Sequence, residues 1–456
     1  MFGIVPYDDL TTAIVIDLLV VAGCTVVLLR HGRLAHSHPA ISYLFFHMLV
    51  VSSRILSIMA GAETLFNRWG GIFEAVTETE IIRAAFLADL VLIIMTAAWI
   101  RASVVDAKLQ ANRPRTGNDQ RVTLSLRHIW TVVAVTFPIG LLGITLLTSV
   151  PGIEKPQIDL GEWQESSWIS ITMTWAGLAL LALIYWYGFR LWLMAPMAVN
   201  LFLMAIQGYH RFRVIIPLIL MIQIYLDRKQ KKWLPAIALV PIVIAMLLFY
   251  PMKTIGKMAQ EGASISEISV ASSEIIRETV SGENADQQVL DQFGSTLTLI
   301  DRADKLYYGS TYLSIFTAPI PRQWWPDKPG FADHIKDIST PSRPMGEVGM
   351  VTTFIGEFYL NFGYMGVVVM SYLTAYWLAR VYFLAYKSNY YSVLRFGYLL
   401  ITCNLILVYR DGLVSLFIFT IINMMPLAFI VILHLVMPVR QKREPVRLYS
   451  FSVPQK

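Results

Sequence analysis

Apolar runs of about twenty residues recur along almost the whole chain, and they set the first constraint on its fold. A bilayer core about 30 Å thick takes a helix of roughly twenty apolar residues. No backbone group can go unpaired there, so a chain that crosses repeatedly without closing a barrel does so as helices. The runs fall near 11–30, 39–60, 80–100, 128–149, 167–187, 191–208, 211–226, 234–251, 355–384, 394–411 and 413–437. The sequence therefore predicts an all-α polytopic membrane protein of about eleven transmembrane helices. Composition agrees: 56% of the 456 residues are hydrophobic and only 15% charged, outside the balance of a soluble domain. The opening MFGIVPYDDLTT has two adjacent acids and no basic stretch, so the first run is expected to stay as a span rather than act as a cleaved signal.

Charge placement orients the spans. The net charge of +6 reads as topology and not as a nucleic-acid surface, because Lys and Arg collect on the cytoplasmic side of membrane proteins. Arg30, Arg33, the bases from Arg101 to Arg127, Arg190, the cluster Arg228, Lys229, Lys231 and Lys232, then Arg380, Lys387, Arg395 and the tail QKREPVR all fall on one side of the eleven-span path. That side is read as cytoplasmic, which puts the N-terminus outside and the C-terminus inside. The chain divides into spans one to eight (1–251, with a cytoplasmic connector at 101–127), a large outer loop (252–349), spans nine to eleven (350–438) and a basic cytoplasmic tail (439–456). Cys24 and Cys403 both lie in apolar runs and suggest neither a disulfide framework nor a metal cluster. No cofactor motif is evident.

Several charges sit where a membrane tolerates them poorly. The turn QGYHRFR places His210, Arg211 and Arg213 between two short spans, and Arg410 and Asp411 fall at the tip of a tight hairpin. Such arginines can snorkel to lipid headgroups. Arg211, Arg213, Arg322 and Arg410 nevertheless share the side that the charge bias should deplete. A planar guanidinium fork suits paired oxygens, above all a phosphate or diphosphate. Deeper in, Arg54 and Asp89 lie at similar depth in adjacent spans and are expected to pair, while Asp17 has no obvious partner.

In the outer loop, 258–300 carries apolar residues at helical spacing, read as one or two amphipathic helices over the membrane mouth. The segment after it brings Arg302, Tyr307 and Tyr308, then PRQWWPDKPG with Arg322, Trp324, Trp325 and Lys328. Its prolines exclude regular helix. The tryptophans suit a membrane interface, and equally a stacking face for a sugar ring. Where the chain re-enters the membrane, GEFYLNFGYMG sets Glu357 and Asn361 on one helical face. That face could supply a carboxylate to a site; its glycines also suit helix packing.

GYHRFR, PRQWWPDKP, GEFYLNFGYMG and the late YRDG turn together resemble bacterial O-antigen or oligosaccharide repeat-unit polymerases of the Wzy type, over roughly residues 200–415. The resemblance implies a glycosyltransferase of the bacterial cytoplasmic membrane. Such an enzyme joins undecaprenyl-diphosphate-linked oligosaccharide repeat units at the outer face without metal or nucleotide sugar, with a chain-length regulator of the co-polymerase type as the expected partner. On that reading Arg211, Arg213, Arg322 and Arg410 cradle the departing diphosphate, with Lys328 and Arg302 assisting. His210, Glu357 and Asp411 are the candidate bases, His210 favoured, and Trp324, Trp325, Tyr307 and Tyr308 form the sugar platform. An O-antigen ligase and a lipid-linked oligosaccharide flippase are the alternatives.

Overall fold

A computed structural model describes residues 9–64, 76–111, 125–147, 167–206, 212–235, 255, 258, 263–281, 288–317, 320, 324–325, 327, 331–338, 351–388 and 392–436. The described residues are helical, with no β-strand among them. Helix α1 runs Leu10–His31, α2 Pro39–Met59, α3 Glu78–Ala111, α4 Leu126–Leu147, α5 Ser167–Tyr187, α6 Leu191–Ile206 and α7 Phe212–Arg228. The loop contributes α8 (Ile265–Ser281), α9 (Val289–Ala303), the short α10 (Leu313–Thr317) and α11 (Phe331–Ile338). The chain then runs through α12 (Thr353–Lys387), α13 (Val393–Asp411) and α14 (Leu413–Val436). Six of these, α1 to α4, α12 and α13, contain stretches long and apolar enough to cross a membrane. The protein is thus an all-α membrane protein. The run expected at 234–251 lies almost wholly outside the described residues.

Local chemistry explains the ends. Asp9 caps α1, its carboxylate accepting from the Thr12 N–H at 2.6 Å, and Ser392 caps α13 by accepting from the Arg395 N–H at 3.0 Å; both satisfy donors that the first helical turn leaves open. Pro39 opens α2, where its missing N–H costs nothing. Pro138, Pro196, Pro217 and Pro426 sit inside helices, which membrane helices accommodate because neighbours re-satisfy the freed carbonyls.

Among the described residues, two smaller clusters lie beside two large apolar cores. One gathers α1, α2, α3, α9 and α12, and the other α4 to α7 with α14. Helix α13 joins them by its periodicity: Tyr398, Leu405, Val408 and Tyr409 face the first core, while Phe396, Leu399, Leu400 and Cys403 face the second.

The loop departs from the expected picture. Helix α8 is largely exposed, in keeping with an amphipathic surface helix. Helix α9 does not lie over the bundle but packs into it, with Val289, Leu290, Phe293, Leu297, Leu299 and Ile300 buried against α3 and α12. Its helical spacing marked an apolar face without saying what that face would meet. Two buried arginines pin it. Arg54 holds both carboxylate oxygens of Asp291, at 2.8 and 2.7 Å, and donates to the Glu63 carbonyl at 2.8 Å. The expected Arg54–Asp89 pair is therefore corrected: similar depth does not fix which way two helices turn their side chains. Arg83 closes on Asp301 at 2.6 Å and on the hydroxyls of Tyr359 and Tyr364, each at 2.9 Å. Tyr359 in turn donates to Asp301 at 2.7 Å. Nor is Asp17 alone: His47 Nε2 stands 2.7 Å from it and 3.3 Å from Asp89.

Candidate functional site

The ends of α7, α12, α13 and α14 and the loop segment 305–317 converge at the end of the bundle where α1, α3 and α12 begin. Helix α12 is broken there. Gly363 takes φ +63 and ψ −154 inside it, a conformation that glycine alone adopts without penalty. The break turns the preceding carbonyls outward, and the loop uses them: the Leu360 carbonyl accepts from the Tyr307 N–H at 3.1 Å and the Asn361 carbonyl from the Tyr308 N–H at 2.9 Å.

Asn361 fixes the same segment with its side chain. Its Oδ1 accepts from the Gly309 N–H and the Thr311 hydroxyl, both at 3.0 Å. Its Nδ2 donates to Thr311 Oγ1 at 2.7 Å and to the Glu357 carbonyl at 2.8 Å. Tyr307 continues the anchoring outward, donating to the His334 carbonyl at 3.0 Å and to Asp337 at 2.6 Å, while Lys305 pairs with the same carboxylate. Burial, then the Asp337 bond, push the Tyr307 hydroxyl up; Lys305 first, and Tyr307 next, hold the Asp337 carboxyl below its usual range.

Glu357 lies one turn before Asn361 and is fully buried. Its Oε2 accepts from the Val414 N–H at 3.4 Å, so a carboxylate from α12 meets the N-terminus of α14, where helix amides and dipole favour negative charge. Gly412, at φ +98, forms the turn between α13 and α14. A methyl group there would run into the Glu357 carboxylate. The other Glu357 oxygen, Oε1, is buried too, and the buried Tyr312 hydroxyl lies against this carboxylate. Burial, and then the neighbouring Glu357 charge, push that hydroxyl up.

Arg410 and Asp411 flank this turn. Arg410 Nε stands 3.8 Å from Asp411 Oδ1, both side chains about a quarter exposed. Its guanidinium lies over the Phe212 ring, 5.4 Å from the centroid. The next residue is Arg213, partly buried, whose Nη1 reaches the Met173 thioether at 3.2 Å. The α13–α14 turn thus brings Arg410, two positions before the Gly412 that abuts the enclosed Glu357 carboxylate, against the first residue of α7, one position from Arg213.

The expected residues therefore separate into three sets. Glu357, Arg213, Arg410, Asp411, Tyr307 and Tyr308 come to one end of the molecule. Tyr308 is exposed there, whereas the Tyr307 hydroxyl is engaged by α11. Trp324 and Trp325 are exposed, at 77% and 42%, as is Arg302 on the last turn of α9. His210, Arg211, Arg322 and Lys328 lie outside the described residues. Tyr312, Thr311 and Gly412 were not singled out from sequence. The glycine of YRDG and the GSTY that follows the paired tyrosines were the available signals. The one grouping of His and Asp at metal-ligand spacing among the described residues lies elsewhere, on α1, α2 and α3.

Comparison with known proteins adds no relative. No family model, no curated protein and no solved structure matches this chain.

Proposed function

We propose that this protein is a membrane glycosyltransferase of the Wzy type, spanning the bacterial cytoplasmic membrane about eleven times with its large loop outside. In this reading it polymerises undecaprenyl-diphosphate-linked oligosaccharide repeat units at the outer face. The observation that supports it is Arg410 lying over the ring of Phe212, the residue before Arg213, at the α13–α14 turn that holds the Glu357 carboxylate and near a loop rich in tyrosine. A greasy diphosphate needs cationic forks at membrane depth, and a sugar needs aromatic faces above them.

The chemistry follows from those roles. A hydroxyl of the incoming repeat unit attacks the anomeric carbon of the growing chain. The new C–O bond forms as the bond to the lipid diphosphate breaks, and the hydroxyl proton passes to a base. Arg213 and Arg410, with Arg211 and Arg322, stabilise the charge that grows on the departing diphosphate, an effect for which one preorganised donor is worth about 10²–10³ in rate. Asp411 is open to solvent where Glu357 is enclosed. We assign Asp411 or His210 as the base and Glu357 as a positioning residue that holds the α13–α14 turn.

The test is deletion of the gene in its host, complementation by wild type, Arg213→Ala, Arg410→Ala or Arg410→Lys at matched protein level, and electrophoresis of surface polysaccharide. Single repeat units on the acceptor, in the deletion and in the arginine variants, are the expected result. Long chains stranded on the lipid carrier would identify a ligase, and repeat units held at the cytoplasmic face a flippase.

A further inference from the structure

Asp17 on α1, His47 on α2 and Asp89 on α3 meet inside the first apolar core, away from the site above. Asp17 and His47 are fully buried and Asp89 nearly so. One nitrogen faces two carboxylates: His47 Nε2 lies 2.7 Å from Asp17 Oδ1 and 3.3 Å from Asp89 Oδ1. That nitrogen carries at most one hydrogen, so it can satisfy only one of them as a donor. The second oxygen of Asp17, Oδ2, is buried with no hydrogen-bond partner.

Charge sharpens the problem. Two carboxylates and a neutral imidazole carry −2, and an imidazolium still leaves −1, in a core where an uncompensated charge is costly. Arg54, seven residues along α2, is engaged by Asp291 and the Glu63 carbonyl. Protons could cancel the charge, but the donor geometry fits a larger cation. One ligand atom from each residue lies within 4.8 Å of the others. Ligands at about 2.1 Å around a tetrahedral ion stand roughly 3.4 Å apart, a spacing that lies between the 2.7 Å His47–Asp17 contact and the 4.8 Å that bounds the set. An imidazole in the set favours first-row transition ions and zinc over magnesium or calcium.

We infer that Asp17, His47 and Asp89 form an intramembrane site for one divalent transition-metal ion, which balances the two carboxylates and staples α1 to α2 and α3. Helix α1 needs such a staple, since Val15, Leu18, Leu19, Val26 and Leu29 face outward, and apolar contact alone drives association weakly in lipid. The ligands come from three helices whose order is set by the fold, so no local sequence motif announces them.

The test uses the full-length protein purified in detergent without chelators. Elemental analysis should find about one equivalent of a transition metal or zinc per chain. After stripping, Co²⁺ should restore a visible d–d band. Asp17→Asn and Asp89→Asn should weaken Co²⁺ binding beyond the roughly 10–100-fold that loss of a supporting contact costs. Asp337→Asn, which removes a half-exposed carboxylate on α11 far from the triad in sequence, should keep the band and so controls for the loss of any one carboxylate. Metal-free wild type that gives no band with Co²⁺, or an unchanged band in the Asp17→Asn Asp89→Asn double variant, overturns the assignment and leaves a proton-balanced triad.

Discussion

The two ends of the helix bundle use the same residue types in opposite ways. At one end Arg395 grips Asp227 through two nitrogens, with Nε at 3.0 Å, and lies over the Tyr386 ring at 4.6 Å. Asp106, also buried, takes Lys387 and is 3.7 Å from Arg33. At the other end Arg410 stands 3.8 Å from Asp411 with both side chains about a quarter exposed, and Arg213 reaches the Met173 thioether at 3.2 Å. Bidentate geometry fixes structure. Partly exposed charges can be reached by something that binds, and perturbed charges gather at functional sites.

The largest expected effect tests the tight end. Asp227→Asn keeps the side chain's size but leaves Arg395 buried beside a neutral amide, and breaking a buried pair costs about 3–5 kcal/mol. Thermal unfolding in detergent should show that loss together with poor accumulation. Asp411→Asn, at the more exposed end, should cost no more than ~1 kcal/mol, while polymer synthesis falls if the proposed function holds and Asp411 is its base. Equal destabilisation by the two changes would erase the distinction between the ends.

A smaller effect sharpens it. Gly412→Ala places a methyl group against the Glu357 carboxylate at a backbone angle of +98°, and strain of that kind costs about 1–3 kcal/mol. Removing the obstruction should recover part of it: in a Glu357→Ala background the Gly412→Ala penalty should shrink, by the 0.5–3 kcal/mol typical of contacting pairs. Additive penalties would mean that the turn does not rest on Glu357.

The sequence made some of this legible and hid the rest for physical reasons. Apolar run length located the helices closely, down to the α13–α14 hairpin with Arg410 and Asp411 at its tip, because bilayer thickness acts on the chain locally. The pairing of Glu357 with Asn361 on one face also followed from helical spacing. What they touch did not, because the partners of Glu357 come from 312 and 412–414 and those of Asn361 from 309–311. Asp291, the partner of Arg54, is 237 positions away. His47 carries no local signal inside its apolar run, although it meets Asp17 and Asp89. Rotation of each helix about its own axis decides such contacts, and with an apolar stripe facing lipid as readily as protein, the amphipathic signal that sets rotation in soluble proteins is weak.

The smallest effect lies at the rim, where Lys305, Tyr307 and Asp337 tie the tyrosine-bearing segment to α11. The Asp337 carboxyl is held below its usual range by Lys305 and by the Tyr307 hydroxyl, so its ionised form favours the tied loop. That contribution is complete at any pH above the roughly 3.9 of a free aspartate and is lost as pH falls through the lower value of the folded state. Tyr307, pushed upward, remains a donor through the alkaline range in which a free tyrosine, near pH 10, would begin to ionise. Both side chains of the Lys305–Asp337 pair are about half exposed, so salt should weaken the tie. Limited proteolysis of the purified protein should find the 305–338 region equally resistant from pH 5 to pH 9, with cutting that rises only below about pH 4. Asp337→Asn should raise cutting across the whole range and flatten the pH response. A wild-type transition centred near pH 6 would place control of this loop on a group other than Asp337.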